Sequence, residues 1–427
     1  MRRALYCSAT AVISSFLLLA SARPLVRAAS PDNRPGTLTG IVLSARGKPV
    51  AGAQILWQNA DGQSIHALRS DAAGRFRIER LYAGLYDLRA TTGTAWSEWQ
   101  HNVLVRPGGE TTVTLRLNLT APPGATGVAL TGKITFFDVP VPAALPHDPA
   151  VDPHGYIWFT LQNVNRVARF DTKMTQWRLF TPPTANSGPH GLVSDAQGNI
   201  WFTENFAGKI GRIDAQTGDV TEYPVPGVAD PHTPILGPDG ALWFTAENAN
   251  VITRMDTVTE KMTSFAVPTQ NALPYGIALG ADGLIWFCEF GSNRIGRIDP
   301  DTGAVQEFIL DDATARPRRL VALRDALYFT DYAGGRLGRF DLATHEFKLW
   351  PTPSGATAKP YAINADSVGN IWYVETGVNK LVRFDPRTEK FDLFPLPDGS
   401  DTRNIARDSR GHLWLTLPTA NQVAMVQ

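Results

Sequence analysis

Asp230, His232 and Glu247 are the residues of this 427-residue chain whose types and spacing best suit proton transfer beside a cation. Asp230 and His232 flank Pro231 at the head of one apolar run, and Glu247 follows at the end of the next. An imidazole among carboxylates can move a proton, and two carboxylates can hold a hard divalent cation through oxygen. His190 stands after a proline earlier in the chain, and Tyr275 after a proline later. Whether these five side chains can meet depends on the elements that carry them.

Those elements repeat. Trp-Phe or a close relative recurs at Trp158, Trp201, Trp243, Trp286, Tyr328, Trp372 and Trp414, in steps of 43, 42, 43, 42, 44 and 42 residues. A period in this range marks an array of one supersecondary unit, and four short strands per unit mean a propeller blade. In the second repeat, residues 189–195 read as an inner strand and 196–199 as a turn. Residues 200–204, 210–214 and 220–224 read as three further strands, with Gln-Thr-Gly turning the last pair. The recurring Arg-x-Asp of the third strand is expected to pair or cap the next turn. The aromatic residue is expected to pack one blade on the next. The last repeat stops after its third strand, and residues 134–140 read like a fourth. Pairing the two would remove an open edge. The expected fold is all-β, a seven-bladed β-propeller over residues 133–427.

Propeller geometry says what can meet. The first two strands of a blade form an antiparallel hairpin, so the start of one lies beside the end of the other. The starts are His147, His190, His232, Tyr275, Arg318, Tyr361 and Arg403. The ends, three residues after the aromatic, are Leu161, Glu204, Ala246, Glu289, Asp331, Glu375 and Leu417. One mouth of the channel should then carry His, Tyr, Arg and several carboxylates. In the third blade the acid comes one residue late, so Glu247 should point differently from Glu204 or Glu289. A polar channel lining that only binds water is the plain alternative.

Residues 1–29 read as a signal peptide. Arg2 and Arg3 precede an apolar stretch, with small-residue cleavage sites near 22 or 29. The stretch is too short and interrupted for a membrane span. Periplasmic or secreted location is expected. Cys7 leaves with the leader, so Cys288 remains alone and no intrachain disulfide is possible. Cys288 replaces the threonine of other repeats and reads as a small buried strand residue rather than a nucleophile. Forty basic and forty acidic residues cancel, and no basic run suggests nucleic acid. A monomer is expected.

Residues 37–118 read as six short strands with turns between, and 119–132 as a linker. Gly40-Ile41-Val42, Gly47-Lys48-Pro49-Val50, Asp71-Ala72-Ala73-Gly74-Arg75-Phe76 and Ala83-Gly84-Leu85-Tyr86 resemble the carboxypeptidase regulatory-like domain. That resemblance implies a transthyretin-like β-sandwich without chemistry of its own, a spacer or a glycan or envelope contact.

The Pro-His/Tyr-Gly, Ile-Trp-Phe-Thr-Glu and Ile-Gly-Arg-Ile phrases from residue 134 onward resemble the streptogramin B (virginiamycin B) lyases. In that family one blade has an acid two residues before a His and a late carboxylate after Trp-Phe, matched by Asp230, His232 and Glu247. His190 and Tyr275 match binding residues of the flanking blades. The resemblance implies Mg²⁺-dependent opening of a small cyclic depsipeptide, or another ester, by elimination. It implies His232 as the proton-transfer residue, with Asp230 and Glu247 as metal ligands that orient it. It implies His190 and Tyr275 as substrate contacts. This chain departs in having Asp230 where the lyases have Glu, in placing the cluster at blades two and three, and in carrying an added N-terminal domain. A non-enzymatic peptide- or glycan-binding scaffold and a lactonase-like metal hydrolase are the alternatives.

Overall fold

The computed structural model describes residues 34–44, 46–59, 66–92, 97, 100–117, 130–323 and 325–427. The expected leader and most of the expected linker lie outside the described residues. No helix among the described residues is long and apolar enough to cross a membrane.

The N-terminal unit is two sheets. Gly36–Ser44 lies between Arg75–Leu81, antiparallel, and Glu110–Leu117, parallel. The second sheet runs His66–Arg69, Gln54–Asn59, Gly84–Thr91, Gln100–Val105. Leu38, Val42, Ile55, Leu88 and Leu115 fill the core between them. The alternating burial of Gly36–Ser44 is what a strand with one face on a core should show. Gln100–Val105 was not expected as a strand, because its polar first half hides the period-2 signal in Val103-Leu104-Val105.

Among the described residues from 134 onward there are seven four-stranded antiparallel sheets. Six are continuous in sequence. In the seventh, Ile405–Arg407, Leu413–Leu417 and Gln422–Val426 are completed by Ile134–Asp138, from the other end of the chain. The first strands touch in succession, and the seventh touches the first, so the sheets close a ring.

The aromatic repeat builds the contacts between blades. Trp201 packs with Leu242 and Phe244 of the third blade, and Trp243 with Ile285 and Phe287 of the fourth. Trp414 closes the set against Ile157, Phe159 and Phe170 of the first. A buried indole needs a partner for its N–H. An aspartate in the preceding turn accepts it, as in Trp158 Nε1 to Asp152 Oδ2 at 2.8 Å and Trp414 Nε1 to Asp408 Oδ2 at 3.0 Å. The Arg-x-Asp aspartates cap turns. Asp214 Oδ1 accepts from the amides of Gln216 and Thr217, and Asp341 Oδ1 from those of Ala343 and Thr344.

Candidate active site

One irregularity sets the site. In blades one to six the hairpin register slips between the starting proline and the third residue after it, as between Pro231↔Ala246 and Pro234↔Phe244. An extra residue on the inner strand is a β-bulge, and it re-aims side chains. The two residues after the proline therefore serve the channel together. His232 Nδ1 reaches the Thr233 hydroxyl at 2.8 Å, and His147 Nδ1 reaches Asp148 Oδ1 at 2.9 Å.

From His147 round to Arg403 the starting residues form a continuous arc. Ring centroids lie 3.9 Å apart for His147 and His190, 4.0 Å for His190 and His232, and 4.2 Å for His232 and Tyr275. The Arg318 guanidinium lies 4.8 Å from the Tyr275 ring and 3.7 Å from that of Tyr361, and Arg403 lies 5.6 Å from Tyr361. The Tyr275 and Tyr361 hydroxyls are in hydrogen-bond contact.

A second layer lies beneath. Arg319 Nη2 stands 3.3 Å from both oxygens of Asp148, across the ring, and Nη1 stands 3.3 Å from the Thr233 hydroxyl. Asn404 Nδ2 donates to Asp148 Oδ2 at 3.0 Å. Burial alone would raise the Asp148 carboxyl, but the Arg319 charge holds it below the usual range. Asp148, Thr233, Arg319 and Asn404 were missed from sequence. Their signal was present, since each directly follows a starting position, but strict strand alternation assigned them to the opposite face.

The five candidates are partly assembled. His232 Nε2 lies 3.1 Å from Glu247 Oε1. The approach is off the hydrogen-bond direction, and that buried oxygen has no other partner. His190 and Tyr275 flank His232 on either side. Asp230 is half-buried and accepts from the Asn248 amide at 2.7 Å and side chain at 2.9 Å. Asp230, His232 and Glu247 do not offer three atoms within 4.8 Å of one another. Among the described residues His147, Asp148 and His190 do.

Electrostatics suits the parts. Burial, then the neighbouring His190 and Arg319, pushes His232 well below the ordinary histidine range. Burial and His147 do the same to His190. Both imidazoles are neutral near pH 7 and can accept a proton. Glu247 is raised to about 7, first by burial and then by the charge of Asp230. Two acids that repel each other, one with a buried unpartnered oxygen, fit the donor set of a hard divalent cation.

The other acids expected at this mouth are elsewhere. Glu204, Glu289, Asp331 and Glu375 are fully buried. Each pairs in register with the proline, as Pro189↔Glu204, so its side chain shares the proline's face and turns from the ring. Glu289 accepts from the Ser292 hydroxyl at 2.8 Å, and Asp331 from Arg336 Nε at 2.7 Å. Arriving one residue later puts Glu247 on the face of His232. Cys288 is fully buried, and burial pushes its thiol up, which keeps it from acting as a nucleophile. A cavity of about 360 Å³ between blades five and six, lined by Tyr328, Trp350 and Arg387 among others, holds none of these residues.

Known proteins share this fold. The carboxypeptidase regulatory-like domain model matches residues 37–118. No curated protein matches the chain. A streptogramin B lyase structure is 28% identical, with TM-score 0.65, over 69% of this chain and 97% of that one. Virginiamycin B lyase from Staphylococcus aureus is 26% identical, with TM-score 0.63, over 69% and 99%. A catalytically inactive histidine-to-alanine form of that enzyme, with quinupristin, is 25% identical over the same shares, with TM-score 0.63. The virginiamycin B lyase family model matches residues 124–354 and again 229–427. The chain belongs to the virginiamycin B lyase family.

Proposed function

We propose that this chain is an exported, Mg²⁺-dependent carbon–oxygen lyase that cleaves an ester, as in a small cyclic depsipeptide, by elimination at the channel mouth. The observation that carries this reading is the buried His232 with Nε2 3.1 Å from Glu247, in a chain of the lyase family. His232 takes the acidic α-proton at Nε2, while the Thr233 hydroxyl holds Nδ1. As the proton transfers, a Cα=Cβ double bond forms, the β-carbon–oxygen bond breaks, and the acyl group leaves as a carboxylate. Glu247 steadies the imidazolium that results. Asp230 and Glu247 would hold the cation, which when bound would draw charge onto the carbonyl oxygen beside the α-carbon. His190 contacts that carbonyl and Tyr275 packs on the substrate. The sandwich serves as a glycan or envelope contact, and the protein works as a monomer outside the cytoplasm.

The test is incubation of the purified protein with a streptogramin B antibiotic and Mg²⁺. Elimination gives a linear product of unchanged mass carrying a dehydrated residue, whereas hydrolysis adds a water and frees a hydroxyl. His232→Ala should lower the rate by about 10²–10⁴. An intact ring after incubation with wild type, beside a working control lyase, would sink the reading and leave a non-enzymatic scaffold. A hydrated product would favour a lactonase-like hydrolase.

A further inference from the structure

The arc of the ring opposite the histidines has no role in that chemistry. It contains Arg318, Tyr361 and Arg403. Arg318 is enclosed by four aromatic rings, with its guanidinium carbon 3.7 Å from Tyr361, 4.4 Å from Tyr332, 4.7 Å from Phe290 and 4.8 Å from Tyr275. It makes one side-chain hydrogen bond, from Nη2 to the Tyr275 hydroxyl at 3.3 Å, and its buried Nε has no partner.

Neighbouring guanidinium groups differ. Arg319 meets Asp148, Arg403 meets Asp401, and Arg336 meets Asp331 and Asp312. Among the described residues no acid stands within 4 Å of Arg318. A largely desolvated charge without a counter-ion is costly, and aromatic faces offset only part of the cost. A guanidinium keeps its charge and offers a planar fork that fits a carboxylate at two points. Arg318 is only half-buried, so the end of its guanidinium beyond the sealed Nε can be reached.

We infer that Arg318, in its cage of Tyr275, Phe290, Tyr332 and Tyr361, is a carboxylate-binding subsite, and that this chain favours substrates with a carboxylate besides the group that reacts. Tyr275 stands between the two groups, its ring 4.2 Å from that of His232 and 4.8 Å from the Arg318 guanidinium, so both ends of such a substrate can belong to one small molecule. The aromatic walls favour an acid attached to a flat or apolar body. The assignment rests on the proposed lyase site only for where the reacting group sits.

Hippurate and its neutral amide, hippuramide, separate charge from shape, and neither contains an ester. Titration calorimetry on the full chain should show hippurate binding about tenfold tighter or more, the size of a charge-assisted hydrogen bond. Arg318→Gln should abolish that preference, and Arg318→Lys should keep only part of it. Equal affinities in wild type, or an unchanged preference in a folded Arg318→Gln protein, would overturn the subsite. If Arg318→Gln does not fold, a full preference in Arg318→Lys overturns it and a reduced one supports it. Binding is read without turnover, so failure here leaves the lyase proposal standing, and a protein without lyase activity could still show the preference.

Discussion

At the scale of single residues, the ring is held by a hydroxyl that five of the seven blades lend to the next. Thr160 Oγ1 donates to the His190 carbonyl at 2.5 Å, Thr203 to that of His232 at 2.7 Å, and Thr245 to that of Tyr275 at 2.8 Å. Thr330 does the same for Tyr361 at 2.8 Å, and Thr416 for His147 at 2.7 Å. Blades four and six have Cys288 and Val374 at this position, and by the spacing of the repeat the corresponding carbonyls are those of Arg318 and Arg403. The braces are thus absent at the two arginines. The repeat shows the substitution plainly, but the role of the threonine was not legible, because its partner lies in another blade. Cys288→Thr should restore the missing bond. The expected gain is about 1 kcal/mol, or about 2 °C in melting temperature. An unchanged or lower melting temperature would mean that a hydroxyl there does not reach the Arg318 carbonyl.

At the scale of the hairpin, the bulge and the pairing register decide which acids can do chemistry. Glu289 shares the face of Pro274 and is sealed in the blade, and burial, outweighing the Ser292 hydroxyl, raises it to about 8. Its folded value lies above the ordinary 4.5, so its contribution to stability is full below that value. The contribution is lost as pH rises toward 8. Glu289→Gln mimics the protonated form, so thermal melts of the variant should fall less than wild type between about pH 5 and about pH 8.5. Parallel melting curves over that range would refute a protonated Glu289. The same register explains how far the site could be read in advance. The Trp-Phe ruler identified the starting residues and the late acid Glu247, because period and strand alternation are sequence properties. It also placed Glu204, Glu289, Asp331 and Glu375 at the mouth, which is wrong. A bulge leaves no mark in composition, and without it neither the turned-away acids nor Asp148 and Arg319 can be assigned.

At the scale of the whole molecule, the site depends on closing the ring. His147 belongs to the first blade and Arg403 to the last, and the Asp148–Asn404 bond crosses the junction between them. That junction is held from the N-terminal side. Ile134–Asp138 pairs with Gln422–Val426, and the Gly132 amide donates to the Gln427 carbonyl at 3.0 Å. Phe137 packs 5.0 Å from Phe170 and 5.7 Å from Trp414, bridging blades one and seven. Phe137 is partly buried, so its loss costs less than the ~3–5 kcal/mol of a fully buried phenylalanine, but losing the strand also bares an edge that invites aggregation. Among the described residues the sandwich has its own core and takes no part in these clasp contacts. A chain starting at residue 124 should therefore melt within a few degrees of the full chain and keep the proposed lyase activity. A chain starting at residue 139 should aggregate or lose its cooperative transition, and should lose the proposed lyase activity with the ring. Scanning calorimetry and size-exclusion chromatography on the two truncations decide the matter. If the shorter chain melted cooperatively at the temperature of the longer one, the clasp would lie elsewhere, and the alignment of His147, Asp148 and Asn404 would need another cause.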